Sequence, residues 1–172
     1  GPLRQIQWIA IVAIGFALFL GCAELLAARR AKSNDFGRDV LAIQWRDALF
    51  IGLFQAFALL PGASRSGVTI TAGLFAGLSR SAAARFSFLL SLPSVFAAGI
   101  YEFWKDRHEI AASKEDAIAL VVSSVVAGIV GYASIAFLLG YLKRHSTWVF
   151  IVYRVTLGGV LLALLRAGIV SG

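Results

Sequence analysis

The stretch PGASRSGVT, residues 61–69, interrupts what would otherwise be a continuous apolar segment. The apolar pieces on either side of it, within residues 48–78, would each be only about 18 to 20 Å long as a helix. Neither piece is long enough to cross the roughly 30 Å hydrocarbon core of a bilayer. Because Pro61 removes a backbone donor and Gly62 loosens the chain, we predict a re-entrant helical hairpin over 48–78.

The composition is that of a membrane protein. Of 172 residues, 59% are hydrophobic and 15% are charged, and the mean hydropathy is +0.83. An ordinary soluble domain carries roughly a quarter charged residues. We therefore expect an all-α integral membrane protein, a single membrane domain over 1–172 with four spanning helices plus the re-entrant hairpin. The spans are predicted at 1–28, 86–103, 117–142 and 148–165.

The charge distribution argues against a nucleic-acid partner. The formal net charge is +7, but the basic residues lie mainly between apolar runs, as membrane topogenesis requires. The positive-inside rule puts the polar loop at 29–47 in the cytoplasm whether 48–78 is a hairpin or a single broken span, so charge does not decide between the two. Further loops are predicted at 104–116 and 143–147, and Arg80 and Arg85 are expected to mark a cytoplasmic loop.

The interrupted stretch gathers hydrogen-bond donors where a helix is predicted to begin. A helix N-terminus carries free N–H groups and a partial positive charge, which favour an anion. A guanidinium adds a planar, permanently charged fork that matches phosphate oxygens. The suitable guest is a phosphate, a pyrophosphate or a carboxylate. The residues concerned are Ser64, Arg65, Ser66, Gly67 and Thr69.

Three other interpretations stay open at this point. Ser64 could serve only as a helix cap while Arg65 snorkels or pairs with a carboxylate, although an arginine inside a membrane costs at least ~2.5 kcal/mol on insertion scales. An inverted-repeat transporter or lipid translocase would use the same broken helix to hold an anionic solute without cleaving it. A noncatalytic fragment would pack against a partner through small-residue pairs such as Gly73 with Gly77.

Residues 60–70 resemble the second signature of the bacterial undecaprenyl pyrophosphate phosphatase family, which is also known through bacitracin resistance. The likeness continues through 77–90 to Pro93. The pair Tyr153 and Arg154 is similar to a pair in the last span of that family. The resemblance covers roughly 48–165, and its PGxSRSG core is quite specific.

The resemblance implies an enzyme of the bacterial cytoplasmic (inner) membrane that hydrolyses undecaprenyl pyrophosphate to undecaprenyl phosphate and inorganic phosphate, in lipid-carrier recycling for cell-wall synthesis. It implies a homodimer, and inverted repeats whose re-entrant hairpins meet at a site that needs a divalent cation, Mg²⁺ or Ca²⁺, and opens toward the periplasm. It assigns catalytic roles to Arg65 and Ser64. The substrate-binding residues that it implies are Gly62, Ser66, Gly67, Thr69 and Arg154.

The chain departs from the family pattern in one respect. The family's other hairpin carries a glutamate-rich signature and a histidine, and no such stretch occurs here. We therefore expect this chain to supply one half of the inverted-repeat fold, with the first repeat absent and the metal ligands mainly in that other half. Glu24 is expected to pair with the loop that begins at Arg29. Glu102, His108 and His145 are not expected to replace the missing groups.

Overall fold

The computed structural model describes residues 2–33, 35–110 and 114–168, and the regular structure in these ranges is helical. Two 3₁₀ turns, Val40–Ala42 and Ala56–Leu59, accompany the α-helices. The α-helices in the described ranges are α1 (Pro2–Lys32), α2 (Trp45–Gln55), α3 (Arg65–Phe75), α4 (Arg80–Ile110), α5 (Lys114–Arg144) and α6 (Trp148–Arg166).

Four of these helices are long and apolar enough to cross a membrane, which agrees with the predicted number of spans and with a multi-pass membrane protein. Helices α2 and α3 have 11 residues each, or about 16 Å, and are too short to cross. The qualifying segments are Ile6–Lys32, Arg80–Arg107, Ile118–Arg144 and Trp148–Arg166.

The loops predicted around Arg80 and Arg85 and at 104–116 were wrong. Arg80 and Arg85 lie in the first turns of α4, because the Ser79 hydroxyl accepts from the Ala82 N–H at 3.2 Å and three alanines follow. The segment 104–116 is also largely helical, since α4 runs to Ile110 and α5 begins at Lys114.

The loop predicted at 29–47 is shorter than its charge pattern indicated. Helix α1 continues to Lys32, and basic side chains in its last turn suit the negative end of the helix dipole. Helix α2 begins at Trp45, where Gln44 and Asp47 form a reciprocal capping box. Charged residues at both ends of this loop therefore belong to helix termini.

Arg38 brings the start of α2 and the end of α3 to the same place. Its guanidinium binds both carboxylate oxygens of Asp47 at 2.8 Å and the Ala76 carbonyl at 2.7 Å. Its backbone accepts from Ser79 N–H and donates to the Gly77 carbonyl, each at 2.9 Å. The chain between Asp47 and Ala76 therefore leaves and returns at one end of the molecule.

Small residues let the helices approach closely around the core. On α1, Ala10 and Ala17 are fully buried, and a Cβ added to Gly158 of α6 would lie 2.6 Å from Ile14 Cγ1. Between α3 and α4, a Cβ added to Gly73 would lie 2.8 Å from the Ala83 Cβ. The shared core consists of Leu20, Ala23, Ile51, Ala72, Leu74, Leu78, Ala82, Ala83 and Ile151.

Candidate anion-binding site

The turn between α2 and α3 presents the N-terminus of α3. Gly62 has a φ of 94°, a conformation that favours glycine, and its Cβ position would collide with the Ile9 carbonyl of α1. Ser64 is the N-cap, since its hydroxyl accepts from the Gly67 N–H at 3.2 Å. Its Oγ also lies 3.2 Å from the Ser66 Oγ. Ser64 therefore caps α3, as one interpretation of the sequence predicted. Its hydroxyl also forms a pair with the Ser66 hydroxyl at the start of the helix.

Arg154 reaches this turn from α6. Its Nη2 donates to the Gly62 carbonyl at 2.7 Å, which fixes the guanidinium beside the turn. A Cβ on Gly67 would lie 2.9 Å from Arg154 Nη1 and 3.3 Å from the Ser64 Cβ. Gly67 therefore leaves the space that the guanidinium occupies against the first turn of α3.

A cavity of about 510 Å³ opens over this turn. The turn, Ser64, Ser66 and Arg154 form a polar group on its wall, and Thr147 and Tyr153 are the other polar residues among its described lining. The rest of its wall is mostly aliphatic and aromatic and comes from four helices. Its larger members are Ile9 and Leu20 of α1, Ile70 of α3, Leu138 and Leu142 of α5, and Phe150, Leu157 and Leu161 of α6. The cavity therefore suits an amphiphile that has an anionic group at one position and an apolar chain.

Five of the seven predicted site residues line this cavity together. They are Gly62, Ser64, Ser66, Gly67 and Arg154. The other two face α4 instead. Arg65 Nη1 donates to the Ser94 Oγ at 2.9 Å, and the buried Thr69 hydroxyl lies 2.6 Å from the Ser87 Oγ. Their phosphate contacts stay a prediction.

The groups on the cavity wall fit an anion and do not fit a divalent cation. Mg²⁺ and Ca²⁺ take oxygen ligands, principally carboxylates and carbonyls. No carboxylate side chain is among the described residues that line the cavity, and the Gly62 carbonyl already accepts from Arg154. Within the described ranges, no group of three or more His, Cys, Asp or Glu residues could hold a metal ion.

Glu24, Glu102 and His145 do not line the cavity and have partners elsewhere. Glu24 is fully buried and pairs with Arg80 of α4, so its expected pairing with the loop after α1 was wrong. Glu102 pairs with Lys105 on the exposed side of α4, and His145 stacks on Tyr141 at the end of α5. The side chain of His108 lies outside the described residues.

Two features of the site were missed in the sequence. The first is the contribution of α1 to the cavity wall, which an apolar run does not reveal. The second is the role of Glu24, whose carboxylate also accepts from the Thr147 hydroxyl at 2.8 Å, next to the cavity. A signal for it was present, because an ionisable residue inside a spanning segment needs a partner.

Comparison with known proteins places the chain in a family. The profile of the family described as bacitracin resistance protein BacA matches residues 1–160. Proteins named undecaprenyl-diphosphatase from Prosthecochloris aestuarii and Chlorobium phaeobacteroides are 54% and 55% identical over 166 residues. These alignments cover 96% of this chain and 59% of each relative, so the chain spans little more than half the length of the curated relatives it matches. A family match over 160 of 172 residues establishes that the chain belongs to the BacA family.

Proposed function

We propose that this chain supplies the arginine and serine half of a site that hydrolyses undecaprenyl pyrophosphate. In the net reaction one water is consumed, the bridging P–O bond breaks, and inorganic phosphate and undecaprenyl phosphate are released. The observation that carries the proposal is the convergence of Ser64, Ser66, Arg154 and the N-terminus of α3 on one side of a largely apolar cavity. Those groups match a pyrophosphate, and the apolar wall matches a prenyl chain.

In this proposal the pyrophosphate lies over the first turn of α3. Ser64 and Ser66 donate to phosphate oxygens on the cavity side, together with Arg154 and the backbone N–H groups at the start of α3. Arg65 approaches from the α4 side and stabilises the charge that develops during P–O cleavage. Thr69 stabilises this turn, because its hydroxyl is hydrogen-bonded to the Ser87 hydroxyl and also donates to the Arg65 carbonyl at 2.9 Å.

The hairpin between α2 and α3 is proposed to be re-entrant. Arg38 holds both of its ends on one side, and each arm is too short to cross. The turn with Ser64 would then lie inside the bilayer, where only protein or water satisfies its backbone. We propose that the molecule is half of an inverted-repeat fold in the bacterial cytoplasmic membrane, with the cavity facing the periplasm.

The remaining catalytic groups are proposed to come from the part of the relatives that this chain does not cover. That part would hold the divalent cation, Mg²⁺ or Ca²⁺, and the nucleophile, and the assembled enzyme would be a homodimer. The relatives carry a hydrolase name, so the transporter and translocase alternative is not the function that we propose.

The proposal is tested by phosphate release from undecaprenyl pyrophosphate in detergent with Mg²⁺ or Ca²⁺. The samples are this chain, this chain with the first repeat supplied separately, and the same mixture with Arg65→Ala or Arg154→Ala. Release by the intact mixture, reduced at least about a hundredfold in either variant, is expected because each variant loses a charge-assisted contact. Arg166→Ala, at the exposed end of α6, is the matched control. Release unaffected by both variants would refute the proposed site.

A further inference from the structure

Helices α3 and α4 pair residue by residue along one face. Arg65, Thr69 and Gly73 recur every four residues on α3, so they lie on the same side of that helix. Each meets a different residue of α4. Gly73 packs against Ala83, Thr69 bonds to Ser87, and Arg65 bonds to Ser94. Residue numbers increase along α4 where they decrease along α3, so the two helices run antiparallel. The contact between Arg65 and Ser94 is the last of the three.

The hydroxyl of Ser94 is oriented as an acceptor toward Arg65. Its single proton is donated to the Ser91 carbonyl at 3.0 Å, which turns the oxygen lone pairs toward Arg65 Nη1 at 2.9 Å. No other hydrogen bond joins the Arg65 guanidinium to a described residue. One N–H of the Arg65 guanidinium is therefore bound to Ser94, and its other N–H groups are available to bind a ligand.

We propose that Ser94 is a positioning residue that sets the orientation of the Arg65 guanidinium for the pyrophosphate. This inference rests on the proposed function. A long arginine side chain loses considerable rotamer freedom when it binds, and a preformed hydrogen bond reduces that loss before the ligand arrives. Ser94 touches neither the cavity nor the reacting atoms, and it acts through Arg65 alone.

The test measures binding of undecaprenyl pyrophosphate to the full chain in detergent micelles by titration calorimetry. We expect Ser94→Ala to weaken binding about tenfold. Ser94→Thr should restore it, because threonine keeps the hydroxyl. Ser91→Ala is the matched control, since its hydroxyl donates to the Phe88 carbonyl and its own backbone carbonyl, the acceptor for Ser94, remains.

A double-variant cycle separates positioning from general support of the fold. If Ser94 acts through Arg65, Ser94→Ala has no further effect on binding when Arg65→Ala is already present. Three outcomes would each overturn the inference while leaving the proposed function standing. They are wild-type affinity in Ser94→Ala, failure of Ser94→Thr to restore affinity, and a further tenfold loss when Ser94→Ala is added to Arg65→Ala. Equal affinity of the wild type and Arg65→Ala would overturn the proposed contact of Arg65 with the substrate, and this inference with it.

Discussion

Glu24 of α1 and Arg80 of α4 form an ion pair whose carboxylate is fully buried. Glu24 Oε1 lies 2.6 Å from Arg80 Nη2, and its other oxygen accepts from the Thr147 hydroxyl before α6. One carboxylate therefore connects three spanning helices. It also places negative charge next to the N-terminus of α6, where it complements the helix dipole.

Replacing Glu24 should destabilise the fold. Glu24→Ala leaves Arg80 without its partner and Thr147 without its acceptor, and breaking a buried pair of this kind costs about 3 to 5 kcal/mol. Chemical denaturation in micelles would measure the loss. Glu102→Ala is the control, because the Glu102 and Lys105 side chains are about 60% exposed and a pair of this kind contributes little. Equal stability of the two variants would contradict the role given to Glu24.

Gly67→Ala should weaken binding of undecaprenyl pyrophosphate by about tenfold or more. The added Cβ would lie 2.9 Å from Arg154 Nη1, so the guanidinium would have to leave the turn. Titration calorimetry on the purified chain checks this. Gly52→Ala is the matched control in α2, since nothing lies within 4 Å of its Cβ position. Unchanged affinity in Gly67→Ala would show that the Arg154 position is not required.

Thr69→Val should lower the free energy of unfolding by about 1 to 3 kcal/mol, because the buried Ser87 hydroxyl loses its partner. Thr71→Val is the control. Thr71 is equally buried, but its hydroxyl donates to a helix carbonyl, that of Gly67, so no side chain is orphaned. The double variant Thr69→Val/Ser87→Ala should recover part of the loss. A double variant less stable than Thr69→Val would mean that packing, and not the unpaired hydroxyl, sets the cost.

The Arg38 and Asp47 pair should make stability depend on acid pH. The hydrogen bonds from Arg38 lower the pKa of Asp47 below its ordinary value. Because the folded pKa is the lower one, this stabilisation is complete above the unfolded pKa and is lost as the pH falls through the folded pKa. The melting temperature of the wild type should therefore fall more steeply below about pH 4 than that of Asp47→Asn. Parallel curves for the two proteins would contradict this expectation.

The site could be predicted from sequence to the extent that it depends on local chemistry. The cap by Ser64, the interruption at Pro61 and the donors at the start of α3 follow from residue types in order along the chain. The direction of Arg65 does not, because it depends on which face of α3 meets α4. A sequence shows that Arg65 and Thr69 share a face, but the partner helix is set by packing between distant segments.

The helix boundaries were misplaced for a physical reason. Hydropathy marks where the chain enters the hydrocarbon, whereas a helix ends where its backbone is capped. Glutamate, lysine and arginine are good helix formers, so α4 continues past Trp104 into the charged segment. The contact of Arg38 with the C-terminal end of α3 could not be predicted from the sequence either, since it joins residues 38 apart in the chain.

The packing of α6 on α1 has a consequence for when the cavity comes into existence. Its wall needs both Ile9 of α1 and Arg154 of α6, so it cannot be complete until α6 has been synthesised and inserted. Contacts between segments this far apart in the chain slow folding. During biosynthesis, the turn at Ser64 is therefore present before Arg154 reaches it, and the site becomes able to bind an anion only when α6 packs on α1.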